Sequence, residues 1–198
     1  MAGRLAIHPV TRERLSDLAR FSEAHGRFRY CSCMRWRLTS SEFHRTSKEA
    51  RAARLEQLVR DGTPVGLLGY FDGEPLAWCS IAPRHTYAAV VRSRSIPLLD
   101  DGPAWSVVCF FVDSRLRGLG VRPRLLQAAV AYARDSGAPL VEGYPAESAG
   151  PSYGYMGRPE MYERAGFATA ARASVRGAAP RRVMRRSTAG SEAAQTPR

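Results

Sequence analysis

The chain has 198 residues, 44% of them apolar, and a formal net charge of +12. That length suits one domain with a substantial core. No run of eighteen apolar residues occurs, which excludes a membrane-spanning helix, and the stretch MAGRLAIHP lacks the apolar segment of an export signal. The expectation is a cytoplasmic protein whose cysteines, Cys31, Cys33, Cys79 and Cys109, are reduced thiols.

The positive charge invites a nucleic-acid reading. Against it, Lys48 is the only lysine among thirty basic residues, a compositional arginine bias. The arginines are spread along the chain, and no basic block alternates with aromatics. Only toward the C-terminal end do Arg172, Arg176, Arg181, Arg182, Arg185 and Arg186 crowd together, and solvated strand residues account for them. A basic surface also attracts a polyanionic small molecule.

In chain order, residues 5–10 read as a strand. Thr11 then caps a helix to about residue 24, with Leu15, Leu18, Ala19 and Ser22 along one face. Residues 26–43 show no regular period. Thr46-Ser47-Lys48-Glu49 reads as a capping box that opens a second helix ending near Asp61-Gly62. Residues 65–71 and 74–81 form a hairpin about Asp72-Gly73. A short helix near residues 87–92 interrupts a loop. Residues 107–112 are an apolar strand, followed by a loop rich in Gly and Arg. A helix comes next, with Leu125, Leu126, Ala129, Val130 and Ala133 at helical spacing, then a strand from Pro139. Two closing strands are predicted at 169–175 and 182–186, and residues 187–198 read as a disordered tail.

The strand, Gly-rich loop and helix from Val107 onward make an anion site, because a helix N-terminus offers free N–H groups and a partial positive charge. Walker A and dinucleotide fingerprints both fail: no Lys-Ser/Thr pair is present, and Pro123 stands where the third glycine would be. The segment instead resembles the coenzyme A loop of the GNAT superfamily, the Gcn5-related N-acetyltransferases. Arg117 and Gly120 match the first two fixed positions of that loop, after Val112-Asp113 and before Leu125-Leu126. Downstream, Met161-Tyr162-Glu163-Arg164-Ala165-Gly166-Phe167 resembles the family's second signature, a Tyr on a short helix before Gly-Phe. The loop departs from the pattern at Arg122, where the family has Gly or Ala.

The resemblance implies an α/β (α+β) fold: one domain over 1–186 with a mixed, mostly antiparallel sheet and helices on both faces. It implies acetyl-CoA as co-substrate, held by Phe110, Phe111, Val112, Arg117, Gly118, Leu119, Gly120, Val121 and Arg122. Tyr162 is the implied general acid, although a Tyr on a short helix also serves packing. Relatives often carry a base on the strand before the loop, but Ser106 and Val108 hold those places here. Glu142 on the next strand is the first substitute, with outward exposure or pairing to arginine as its other reading. Cys109 and a water chain are further candidates for the base. The region after the first helix would help form the acceptor pocket, so Met34, Arg35 and Trp36 are expected to line it or to pack on the sheet. An Arg there suits a carboxylate-bearing amine. Residues 144–145 and 152–156 would cover it.

The spacing Cys31-Ser32-Cys33, with no second Cys/His pair, gives no metal site. The scattered histidines form no convincing triad. The expected function is acetyl-CoA-dependent N-acetyl transfer to a small amine. Protein amines, an acyl-CoA-binding regulator with little turnover, and a nucleic-acid module are the alternatives. No membrane partner is expected, and a homodimer is left open.

Overall fold

The computed structural model describes residues 4–147, 154–173 and 180–189. Its strands are β1 (Leu5–Pro9), β2 (Leu67–Phe71), β3 (Glu74–Pro83), β4 (Trp105–Val112), β5 (Leu140–Gly143), β6 (Ala168–Ala173) and β7 (Arg181–Ser187). They form one sheet in the order β1-β2-β3-β4-β5-β7-β6, antiparallel throughout except between β4 and β5. The β2–β3 hairpin turns at Asp72 and Gly73, both at positive φ (49° and 83°), as a two-residue Asp-Gly turn demands.

Helices cover both faces, as the resemblance implied. On one face lie α1 (Leu15–Ala24), α2 (Gly26–Cys31), α3 (Ser40–Arg45) and α4 (Lys48–Arg60). They pack Phe21, Phe28, Phe43 and Leu55 against Leu68 and Trp78. The short α5 (Ala88–Val91) covers a smaller cluster around Tyr87 and Tyr144. On the other face α6 (Val121–Asp135) lays Leu125, Leu126, Ala129 and Ala133 on Ile81, Val107 and Val141, joined by α7 (Pro159–Arg164). Burying each large side chain stabilises the fold by about 1.5–3 kcal/mol. Among the described residues no helix is long and apolar enough to cross a membrane.

Four local readings change. The stretch 26–43, which shows no period, contains α2 and opens α3; six-residue helices are too short to display one. The capping box of the structure is Thr39 with Glu42: Glu42 N donates to Thr39 Oγ1 at 3.3 Å, and Thr39 N donates to Glu42 Oε2 at 2.8 Å. Ser47, not Thr46, caps α4, accepting from Ala50 N at 3.1 Å. Thr11 likewise makes no cap; a 3-10 turn, Arg12–Arg14, precedes α1. The closing strand runs through Ser187, the first residue of the expected tail, whose residues 190–198 lie outside the described residues.

The feature that positions the site is a fork. β4 and β5 pair in parallel at only three positions, Trp105↔Val141, Ser106↔Glu142 and Val107↔Gly143. Beyond them β5 ends, while β4 continues along β3 to Val112. A bulge accompanies the parting: the register moves from Ile81↔Val107 to Ser80↔Cys109, leaving Val108 as the extra residue.

Glu142 sits at the root of this fork, 2% exposed. It accepts from Arg84 Nη1 at 3.0 Å, Arg185 Nε at 2.7 Å and the Tyr144 hydroxyl at 2.7 Å. Arg84 also donates to the carbonyls of Asp100 and Gly102 at 2.6 and 2.8 Å, so the carboxylate ties β5, β7 and the 100–102 loop together. Removing one partner of a buried pair leaves the others uncompensated, which costs about 3–5 kcal/mol. Glu142→Gln should therefore lower the unfolding free energy by about 3 kcal/mol. Urea denaturation at neutral pH checks this, and an unchanged midpoint would show that the network is not stabilising.

Candidate active site

The fork opens into a cleft of about 920 Å³ lined by Phe110, Phe111 and Val112 of β4 and by the loop that follows. Asp113 starts the loop by accepting from Arg115 N at 2.8 Å, which shapes a 3-10 turn, Ser114–Leu116. Leu116 is buried and pins that turn to the core. Gly118 and Gly120, at φ 78° and 65°, then swing the chain into α6. A Cβ at either glycine would meet nothing within 4 Å, so both open onto free space. The amides of Gly118, Gly120, Val121 and Arg122 have no backbone acceptor among the described residues. Together with the N-terminus of a fifteen-residue helix they form a cradle for an anion.

Arg122, the departure from the family pattern, donates from Nη1 to the Gly154 carbonyl at 3.0 Å. It thereby joins the first turn of α6 to the 3-10 turn Gly154–Met156, which forms the opposite wall. Of the loop and strand residues singled out in the sequence, all but Leu119 line the cleft. Leu119 is 55% exposed and points away from it.

The structure does not bring Tyr162 or Glu142 into the lining. Glu142 is engaged at the fork, as described above. Tyr162 is fully buried; its ring lies against Gly143, where a Cβ would come within 2.0 Å of it, and edge-on to Phe167 at 5.1 Å. Its hydroxyl donates to the Met156 carbonyl at 3.0 Å. Burial pushes the phenol pKa well up. The side chain thus stands directly behind the turn that walls the cleft.

His25, which no sequence signal singled out, lines the cleft and is 7% exposed. Its Nε2 meets Asp113 Oδ2 at 2.9 Å and its Nδ1 meets the Phe21 carbonyl at 2.7 Å. This contact latches the end of α1 to the start of the coenzyme-type loop across 88 residues of sequence, a separation that no local pattern reveals.

A second cavity, about 710 Å³, adjoins the first and shares Arg27, Phe111 and Tyr155 with it. Arg35 and Trp36 line it, whereas Met34 is buried beside it in the core. Cys31, Cys33 and Cys109 also border it. Burial pushes the Cys33 thiol well up, so it rests protonated. Ser32 and Cys33 both adopt positive φ, 44° and 49°, a strain of about 1–3 kcal/mol each for residues other than glycine. Among the described residues no group of three or more His, Cys, Asp or Glu is arranged to hold a metal ion.

The architecture is that of acetyltransferases of known structure. An N-acetyltransferase from Staphylococcus aureus Mu50 is 13% identical, with a TM-score of 0.55, covering 93% of this chain and 99% of its own. yncA from Salmonella typhimurium, assigned as an acetyltransferase and solved with its cofactor acetyl-CoA, is 17% identical with a TM-score of 0.57, covering 98% and 99%. A ribosomal-protein-alanine N-acetyltransferase from Brucella melitensis is 18% identical with a TM-score of 0.54, covering 92% and 99%. No curated protein matches the chain. Residues 30–149 match the sequence model of the Acetyltransferase (GNAT) family, more than half of the chain. The protein belongs to that family.

The latch gives a pH prediction. Hydrogen bonds from Arg115 hold the Asp113 carboxyl well below the usual carboxylate range, with a further one from His25. A carboxyl depressed in the folded state stabilises fully above its ordinary pKa, and that stability is lost as pH falls through the folded value. Wild type should therefore exceed Asp113→Asn in stability at pH 6, and the gap should shrink steadily below about pH 4. Paired urea titrations measure it; a gap constant down to pH 2 would remove Asp113 from the acid response.

Proposed function

We propose that this protein transfers the acetyl group of acetyl-CoA to the amine of a small molecule. The observation that carries the reading is the anion cradle at Gly118–Arg122 placed beside a β4 edge that β5 has vacated. The pyrophosphate would lie on the amides of Gly118, Gly120, Val121 and Arg122, with Arg117 and Arg122 adding charge. The pantetheine arm would run along Phe110–Val112 as an added strand, its amides pairing with the unpaired β4 backbone. That course brings the thioester to the junction of the two cavities, beside Cys109 and Phe111. The second cavity has the volume of a small-molecule site, which favours a small acceptor. The likeness to yncA, solved with acetyl-CoA, supports the coenzyme.

In the reaction, the lone pair of a neutral amine attacks the thioester carbonyl, the C–N bond forms, and the C–S bond breaks to release the thiolate. Tyr162 is the acid in this reading: its O–H, now on the Met156 carbonyl, lies one residue behind the wall and reaches the thiolate when that hydrogen bond is released. Glu142, engaged by two arginines and a tyrosine, holds the fork, and the amine's proton leaves through water.

Three measurements test this. Gly120→Val puts a branched Cβ into the open cradle at a positive-φ position and should weaken acetyl-CoA binding by tenfold or more while circular dichroism shows the fold retained. Unchanged affinity by calorimetry would take the coenzyme away from this loop. Tyr162→Phe should keep coenzyme affinity and lower kcat by about 10²-fold; wild-type kcat would leave Tyr162 as a clamp on Met156. Mass spectrometry of amines incubated with acetyl-CoA reads the transfer itself.

A further inference from the structure

The second cavity combines aromatic walls with cations. Tyr30, Trp36, Phe43, Phe111 and Tyr155 line it, and among the described residues no Asp or Glu does. Arg35 lies with its guanidinium 5.4 Å over the Phe43 ring. It is exposed to the cavity and meets no carboxylate among the described residues. Arg181, on the far side, stacks 5.8 Å over Trp36 and is fixed by donating to the Tyr144 carbonyl at 3.2 Å. Arg84, Arg115, Arg182 and Arg185, by contrast, each grip an acid. A guanidinium set on an aromatic face and facing a cavity, as Arg35 is, selects a planar anion, which it binds through paired N–H donors.

We infer that the acceptor is an amine that also carries a carboxylate on an aromatic or large apolar body. Arg35 receives the carboxylate, the aromatic walls receive the body, and the amine points to the Cys109–Phe111 end, where the cavity meets the cleft. This rests on the acetyl-transfer reading and narrows its substrate class. The same charges serve the chemistry. Nearby cations disfavour an ammonium, so they lower the pKa of the bound amine and supply neutral nucleophile without a dedicated base. They also reject polyamines, whose extra positive charges would find no partner there.

The test uses phenylalanine and tryptophan, each paired with its amide, as probes. Calorimetry on the protein without coenzyme should show each amino acid binding at least tenfold more tightly than its amide. Arg35→Gln should bring that ratio to about one; Arg35 is exposed and makes only a ring contact, and a thermal melt confirms folding. Equal binding within the pairs, preference for the amides, no binding of any probe, or an unchanged ratio in Arg35→Gln would each overturn the assignment. Acetyl-CoA titration is run in parallel. Absent coenzyme binding with the carboxylate preference intact would sink acetyl transfer and leave the cavity's specificity standing. Tight coenzyme binding with no preference would do the reverse.

Discussion

The cleft of this protein depends on two strands that pair and then part. Three parallel pairs join β4 to β5, and a bulge at Val108 turns β4 away just where β5 ends. An unpaired strand edge inside a sheet is costly when dry, since each buried, unsatisfied backbone group loses about 1–3 kcal/mol. The fork persists because its root is clamped. Glu142 draws in Arg84, Arg185 and Tyr144, and thereby fixes β5 to β7 and to the 100–102 loop. A carboxylate that is 2% exposed and already held by two guanidinium groups and a hydroxyl is out of reach of an incoming amine, so the clamp and a freely accessible base are incompatible roles for one residue.

The walls of the fork are set by the same economy of contacts. Gly143, the last residue of β5, must lack a Cβ because the Tyr162 ring occupies that space. Tyr162 in turn holds the Met156 carbonyl, and Arg122 holds that of Gly154. The turn between the two cavities is therefore fastened at both ends by side chains from α6 and α7. On the opposite side, His25 fastens α1 to Asp113. The cleft is bounded by elements far apart in sequence, each tied down by one or two hydrogen bonds.

That explains how far the sequence could be read. The coenzyme-type loop was legible because it is local: Gly118, Gly120 and the α6 periodicity fall within twenty residues. The hairpin at Asp72-Gly73 and the order of seven strands were legible for the same reason. The segment 26–45 was not, because α2 and α3 are single short turns whose stability comes from Phe28 and Phe43 packing on Trp78 and its neighbours. Thr46 misled because four adjacent residues offered two overlapping caps, and the backbone chose Ser47 while the Thr46 hydroxyl donated to Glu42 O at 2.6 Å. The latch of His25 to Asp113 and the engagement of Glu142 are purely tertiary. In the sequence, Glu142 in an apolar strand is compatible with a base and with an ion pair; only Arg84 and Arg185 arriving from other elements distinguish them.

The same distinction resolves the charge. A net +12 and a C-terminal arginine cluster suggest an open basic surface. In the structure three of those arginines face inward or across to acids: Arg182 reaches Glu147 at 2.6 Å and Glu163 at 3.0 Å, Arg185 reaches Asp100 at 2.6 Å, and Arg186 donates to the Ala165 carbonyl at 2.6 Å. They stitch β7 to its surroundings, and a charge already paired adds little field beyond a Debye length. Other arginines grip no acid among the described residues, and of these Arg117 and Arg122 stand at the loop, Arg27 at the junction and Arg35 in the second cavity. Field lines from such charges focus into concave, low-dielectric walls. Part of the excess that looks diffuse along the chain is thereby set on the walls of two connected cavities, where an anion would feel it most strongly.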